Sequence, residues 1–346
     1  MPLMQLTFLY CLLNFFAGDQ ASEYSSSSEI NIVGPAKEAE ATNIILQSND
    51  GGETWQDISG GLPETEQGVG FFAGTSEVYL STNGVMYRSK NNLKTPVWEK
   101  ENIPDQRSTS IAFNRSGVIA YSFDGPIYQK KPLSETWLPI YTDLKSHSLT
   151  NIFEASDGSI LRSTGKSCFK SADGARTWKL VEKGGQDIVE SEGVLMATGQ
   201  KGIMRSTDYG EHWEWVISEG GVGMAVERID GGFAAIAYNT QTNFRRIHIS
   251  MDSGETWQAI DKGLRPSSLI SSIKQMGSDL FVGHPDGIFR SSDMGKTWKR
   301  VHAGFGNELH TSKFVSLNPA PAREKVFKLY VSGTVLYAVA VSSSGC

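Results

Sequence analysis

Side chains able to hold a charged or sugar ligand are scattered along this chain and not gathered into one motif. Arg107, Lys201 and Arg265 could pair with carboxylates, and His147, His284 and His310 could exchange a proton near neutrality. Glu64, Glu66, Asp124, Asp286 and Asn239 could share hydrogen bonds with hydroxyls or amides. Such a set suits a polar pocket for a glycan or an acidic peptide. No signature ties it to a known machinery, because the chain has no GxSxG, P-loop, HExxH or dinucleotide fingerprint. Its three cysteines, Cys11, Cys168 and Cys346, form no CxxC or Cys/His cluster. Neither a metal site nor a cofactor is therefore expected.

Residues this far apart can meet only if a repeating scaffold brings them to one face, and tryptophan marks that repeat. Without Trp215, the tryptophans fall at 55, 98, 137, 178, 213, 257 and 298, with gaps of 43, 39, 41, 35, 44 and 41 residues. A period near forty with a fixed aromatic fits one four-stranded propeller blade. The residues ahead of each Trp share a register. Ser48 to Trp55 (SNDGGETW) recurs as Ser250 to Trp257 (SMDSGETW) and Ser291 to Trp298 (SSDMGKTW). Ser206 to Trp213 (STDYGEHW) replaces Thr with His212, and Ser171 to Trp178 (SADGARTW) has Ala175 in place of Gly. Two copies are degraded: Ser89 to Trp98 carries an insertion, and Ser134 to Trp137 (SETW) keeps only the tail.

This S-x-D-x-G-x-T-W pattern resembles the Asp-box, or BNR, repeat of the sialidase-like superfamily, and the resemblance covers residues 43–346. It implies a scaffold role for Ser48, Asp50 and Trp55, for the Asp/Trp pairs 173/178, 208/213 and 252/257, and for Asp293 with Trp298. Short Asp and Ser side chains bond to turn backbone, Gly supplies a positive φ, and Trp buries a large ring. Families with this motif differ in function. Sialidases have six blades and an arginine triad, which this chain does not supply, since no Arg precedes Arg88. Ycf48-type assembly factors of photosystem II and fucose-binding lectins have seven.

The strand reading follows from one repeat. In Leu269 to His302, ISSIKQM reads as strand A, DLFVG as B, GIFRSS as C and KTWKRV as D. Before Trp55 there is room only for C and D, whereas after Trp298 the runs VFKLYVS and VLYAVAVS match A and B. The expected fold is all-β, a seven-bladed propeller of four-stranded antiparallel blades. Pairing N- and C-terminal strands in one blade would close it and leave no open sheet edge. The D–A and B–C loops then share one face, and all the polar residues named at the outset fall on it. The ligand-binding set is Arg107, Asp124, His147, Lys201, Asn239, Arg265, His284 and His310; the alternative for each is a solvated loop residue. A basic stripe before the box serine (Arg88, Lys170, Arg205, Arg290) suggests a blade-to-blade salt bridge or a solvated outer face.

Composition frames the rest. Hydrophobic residues are 39% and charged residues 20% of 346, enough for a sizeable core. A net charge of −6 with no basic block excludes a nucleic-acid scaffold. Residues 6–17 (LTFLYCLLNFFA) form an apolar run too short to span a bilayer and suited to a signal peptide over 1–21. Residues 22–42 read as a Ser-rich flexible leader, and 43–346 as the propeller. The mature chain is expected to lack a transmembrane span and to be secreted or extracytoplasmic. The favoured function is non-enzymatic binding of a protein or glycan through the D–A/B–C face. The alternative is a glycoside hydrolase or lyase using loop-face carboxylates.

Overall fold

The computed structural model describes residues 45–342 except 61, 63–69, 83, 91–95, 107, 109, 116, 123–124, 133, 141–148, 165, 183 and 305–324. These residues form seven four-stranded antiparallel sheets, each running A–B–C–D in hydrogen-bonded order, and no helix occurs among them. The A strands of blades 1 to 7 are Gly70–Ala73, Ser110–Asn114, Asn151–Glu154, Ile188–Ser191, Gly220–Ile229, Ser272–Met276 and Lys325–Ser332. They touch one another from blade 4 round through blade 7 to blade 3, and Ser156 donates its backbone N–H to Glu190 at 2.7 Å to join blades 3 and 4. The A strands are therefore the inner ring.

Closure is as the sequence predicts. Strand Ile45–Ser48 pairs antiparallel with Val335–Ser342, with Ile45 opposite Val339 and Ser48 opposite Leu336. Strands A and B of blade 7 thus come from the end of the chain and C and D from its start. Rings from neighbouring blades lock the seam: Phe71 lies 5.0 Å from Tyr330 and 5.2 Å from Tyr337 between ring centroids. The B strands are flanked by a blade on each side, so they are buried along almost their whole length, as in Val194–Gly199 and Asp279–His284. Burial on both faces explains why they read as continuous apolar runs. The short D strands Gln56–Asp57 and Glu99–Lys100 are exposed.

The Trp hairpin joins C to D by one recurring network. Ser48 Oγ donates to Asp50 (2.9 Å) and accepts the Gly52 N–H (2.8 Å), while Asp50 accepts the N–H (2.9 Å) and the hydroxyl (2.5 Å) of Thr54. The same bonds recur at Asp173, Asp252 and Asp293, and His212 replaces the Thr hydroxyl at Asp208. Each turn holds two successive positive φ angles, for example +58° at Met294 and +81° at Gly295. Hydroxyl and amide donors from Thr hold the carboxyls of Asp173, Asp252 and Asp293 down at about 2.

The basic stripe forms the blade-to-blade bridge. Arg88 reaches Glu135 (3.0 Å), Lys170 reaches Glu211 (3.0 Å), Arg205 reaches Glu255 (3.4 Å) and Arg290 reaches Glu53 (2.7 Å), each on the next blade. Each glutamate lies two residues before a hairpin Trp. Where the matching strand-C residue is uncharged (Gln47, Gln129, Ile249), the next blade offers Pro96, Arg176 or Lys296 in place of an acid. The charges are matched rung by rung.

Candidate functional site

Within each inner strand, residues two apart share a face of the pleat. Counting back from the A–B turn, Glu227, Lys274 and Tyr330 sit at the same level in blades 5, 6 and 7. One step nearer the D–A/B–C mouth, Asp187 of blade 4 is level with Lys328 of blade 7. Lys274 and Glu227 form an ion pair between their blades, and the Lys328 ammonium lies 5.9 Å from the centre of the Tyr330 ring. The Asp187 carboxyl feels the charges of Lys274 and Lys328, which belong to blades that do not adjoin its own. Such an interaction can run only across the ring, so this cluster lies about the axis.

Water reaches the cluster, but through a lumen walled by protein. Asp187 and Lys328 are exposed, whereas the side chains of Glu227 and Lys274 keep 20% and 27% of their surface accessible. Loss of bulk hydration pushes the carboxyls of Asp187 and Glu227 up, and the Lys274 ammonium opposes the rise in both. The same enclosure disfavours the charged form of Lys274, but Glu227 and Asp187 hold its ammonium above the ordinary lysine value. Two carboxylates and two ammoniums thus sit at the centre of the ring. They can recognise a charged side chain or hold a proton near pH values where isolated carboxyls have lost theirs.

The ring can be set beside known proteins. No family model matches the sequence, and no curated protein matches it. Among solved structures, Ycf48 bound to D1 peptide matches with a TM-score of 0.51 and 17% identity, covering 69% of this chain and 83% of that one. The likeness is one of fold. Streptogramin B lyase gives a TM-score of 0.57 at 12% identity over 87% of this chain and 99% of that one. The xyloglucanase of Xanthomonas campestris gives 0.56 at 14% identity over 73% of this chain, which spans about half (50%) of that longer protein. These neighbours include enzymes and a peptide-bound protein on one architecture, so chemistry must be argued from the site.

Of the residues expected on the D–A/B–C face, Arg107, Asp124, His147 and His310 lie outside the described residues, as do Glu64 and Glu66. The structure brings Arg265, His284 and Asp286 together. Arg265 clasps Asp286 with two bonds of 2.8 and 2.7 Å. His284 lies between a backbone N–H from Asp286 to Nδ1 (3.0 Å) and the Arg265 carbonyl at 2.8 Å from Nε2. That geometry fixes the tautomer with the proton on Nε2, and burial pushes the imidazole pKa down. Asn239 caps its own turn, accepting the N–H groups of Gln241 and Thr242 at 3.0 and 2.9 Å, and donates to Glu219 at 3.2 Å. Lys201 is exposed in the B–C turn of blade 4, apart from these groups.

The loop residues that do meet are thus bonded to one another, while Asp187 and Lys328 are exposed deeper in the ring, just before one strand A and within another. Loop counting could not find Asp187, Glu227, Lys274 and Lys328. A signal existed in the strands themselves: a charge in mid-strand, as in MAVERI, SIKQM and VFKLYVS, where Ala112 occupies the same level of blade 2.

Proposed function

We propose that this chain is an exported Asp-box propeller that binds an extended segment of another protein at the mouth of its axial channel, without catalysing a reaction. The observation that carries this reading is the pair Asp187 and Lys328, exposed on the inner ring, level with each other and backed by the Lys274–Glu227 ion pair. A ligand side chain entering from the D–A/B–C face meets these two groups first. Arg265, His284 and Asn239 give the mouth a fixed shape, since their bonding capacity goes to each other and to nearby turns. The Ycf48 structure holds a D1 peptide, which favours peptide over glycan as the ligand class. The apolar run at residues 6–17 supports export.

Peptide and glycan arrays on the purified protein test this, with Lys328→Glu and Asp187→Asn as probes. Peptide hits weakened tenfold or more by either change are expected, and hits indifferent to both would sink the axial site. A second reading has its own observation: Asp187 and Glu227 both have raised pKa values in one lumen, as acid–base chemistry requires. It predicts turnover of a glycan hit that Glu227→Gln abolishes, as for a glycoside hydrolase or lyase.

A further inference from the structure

On the opposite face, which carries the A–B and C–D turns, a cavity of about 820 Å³ opens between blades 1 and 2. Its place in the repeat explains it. In blades 4 to 7 the hairpin turn lies against the blade before it. A Cβ on Gly52 would stand 3.2 Å from Val301 and 3.3 Å from Phe281 of blade 6, one on Gly210 2.7 Å from Leu161 of blade 3, and one on Gly295 2.6 Å from Ile260 of blade 5. Those grooves are filled by a glycine turn, which in blades 4, 5 and 7 also carries a carboxylate to the preceding blade, as Glu53 does to Arg290 at 2.7 Å.

Blade 2 keeps only Ser134-Glu135-Thr136-Trp137 of the hairpin motif. Its Glu135 still reaches Arg88 of blade 1 at 3.0 Å, but a short Lys131–Ser134 turn without the motif's Asp and Gly stands where the glycine turn lies in other blades. The consequence is visible at the stripe residue. Arg205 and Arg290 each donate to a carbonyl of the following turn, Ser253 at 2.8 Å and Gly51 at 3.2 Å. Among the described residues Arg88 meets the carboxylates of Glu77, Glu99, Glu101 and Glu135 and no turn carbonyl, as Lys170 meets Asp157 and Glu211.

The open groove is also cationic. Lys90 and Lys131 line it, both exposed, and neither has a carboxylate within 4.0 Å among the described residues, whereas the Arg115 guanidinium donates to the Ser156 carbonyl of blade 3 at 2.9 Å. Phe113 and Val118 supply an apolar floor. Two lysines without a carboxylate partner, in a chain of net charge −6, make a local field opposite to that of the whole molecule.

We infer that this groove is a second binding site, which takes an acidic, glycine-containing turn from a protein partner in the place that the hairpin of the next blade fills elsewhere in the ring. The occupant's backbone carbonyl meets Arg88, and its two carboxylates meet Lys90 and Lys131.

The probe is a fluorescein-labelled peptide with the sequence of residues 48–55, SNDGGETW, followed by fluorescence anisotropy on the intact protein. Saturable binding is expected, weakened tenfold or more in the double variant Lys90→Glu/Lys131→Glu and lost when the peptide's two acids are replaced by their amides. Both lysines are on the surface, and the amide peptide leaves the protein untouched, so neither result depends on a folding defect. Lys328→Glu, which tests the axial site, should leave this binding unchanged. Absence of saturable binding, or equal binding by the amide peptide or the double variant, overturns the inference.

Discussion

Blades 3 to 7 and blades 1 to 2 solve the same packing problem in different ways. In the first group a short network of Ser, Asp, Thr or His, and Trp builds each C–D turn, and a single cation–carboxylate rung joins blades 3 to 4, 4 to 5 and 6 to 7. In the second group the network is broken, and a buried charge cluster replaces it. Lys130, 3% exposed, donates to Glu101 at 3.0 Å, and Trp137, 5% exposed, donates its indole N–H to the same carboxylate at 3.0 Å. Arg88 approaches Glu101 at 3.3 Å, and the Lys130 ammonium lies 5.0 Å from the Trp137 ring centre. Turn chemistry that repeats is spread over many weak, local bonds. The cluster concentrates the same task in one carboxylate.

The comparison predicts where the ring is most fragile. Glu101→Ala leaves Lys130 buried without its partner, and removing one member of a buried pair costs about 3–5 kcal/mol. Urea unfolding should show that loss, and a loss below about 1 kcal/mol would mean that the cluster is no keystone. Glu101→Gln should recover part of it, because its one amide oxygen can still accept from either Lys130 or Trp137, which now bond to different oxygens of Glu101.

In the repeating half the weak point is the turn glycine. Gly295 has φ +81°, and a Cβ there would stand 2.6 Å from Ile260. Gly295→Ala should cost roughly 3 kcal/mol, from left-handed strain of about 1–2 kcal/mol and overpacking of about 1–3 kcal/mol. Adding Ile260→Ala relieves the clash but not the strain, so the double variant should be less destabilised than the two single losses added together. Additive losses would place the glycine's cost wholly in the backbone.

Acid should separate the halves by mechanism. The hairpin carboxyls of Asp173, Asp252 and Asp293 have folded pKa values of about 2, below the roughly 3.9 of an unfolded Asp. A depressed folded value means their contribution is complete above pH 4 and fades as pH falls toward 2. Melting temperature followed over that window should drop less steeply in Asp293→Asn than in the parent protein. An unchanged slope would remove the hairpin from the account of acid unfolding.

Much of this fold was legible before any coordinates. The Trp period, the Ser–Asp–Gly–Trp register and the unmatched runs VFKLYVS and VLYAVAVS led to seven blades and to their closure at Ile45–Ser48. Those signals are local or periodic, and a repeat architecture makes local signals global. The axial site was less legible. Asp187, Glu227, Lys274 and Lys328 come from four blades, and nothing in sequence spacing says that non-adjacent strands meet across an axis. Polar loop residues drew attention instead, yet Arg265, Asp286 and His284 satisfy one another. The groove between blades 1 and 2 was half legible: the degraded hairpins were plain in SKNNLKTPVW and SETW, but only packing turns a missing motif into a cavity.

The smallest expected effect concerns the rungs themselves. Arg290–Glu53 and Arg88–Glu135 look alike in distance, at 2.7 and 3.0 Å, and both glutamates are largely exposed. Exposed pairs of this kind couple by a few tenths to about 1 kcal/mol. Arg290 has Asp279 as its other carboxylate partner, at 2.6 Å, so removing Glu53 takes away half of its countercharge. Arg88 keeps Glu77, Glu99 and Glu101 when Glu135 is removed. Double-mutant cycles should therefore find a measurable coupling for Arg290 with Glu53, of roughly 0.5 kcal/mol, and none above error for Arg88 with Glu135. If the two couplings match, the rungs are equivalent round the ring. The crowd of carboxylates about Arg88 would then owe nothing to the turn that blade 2 has lost.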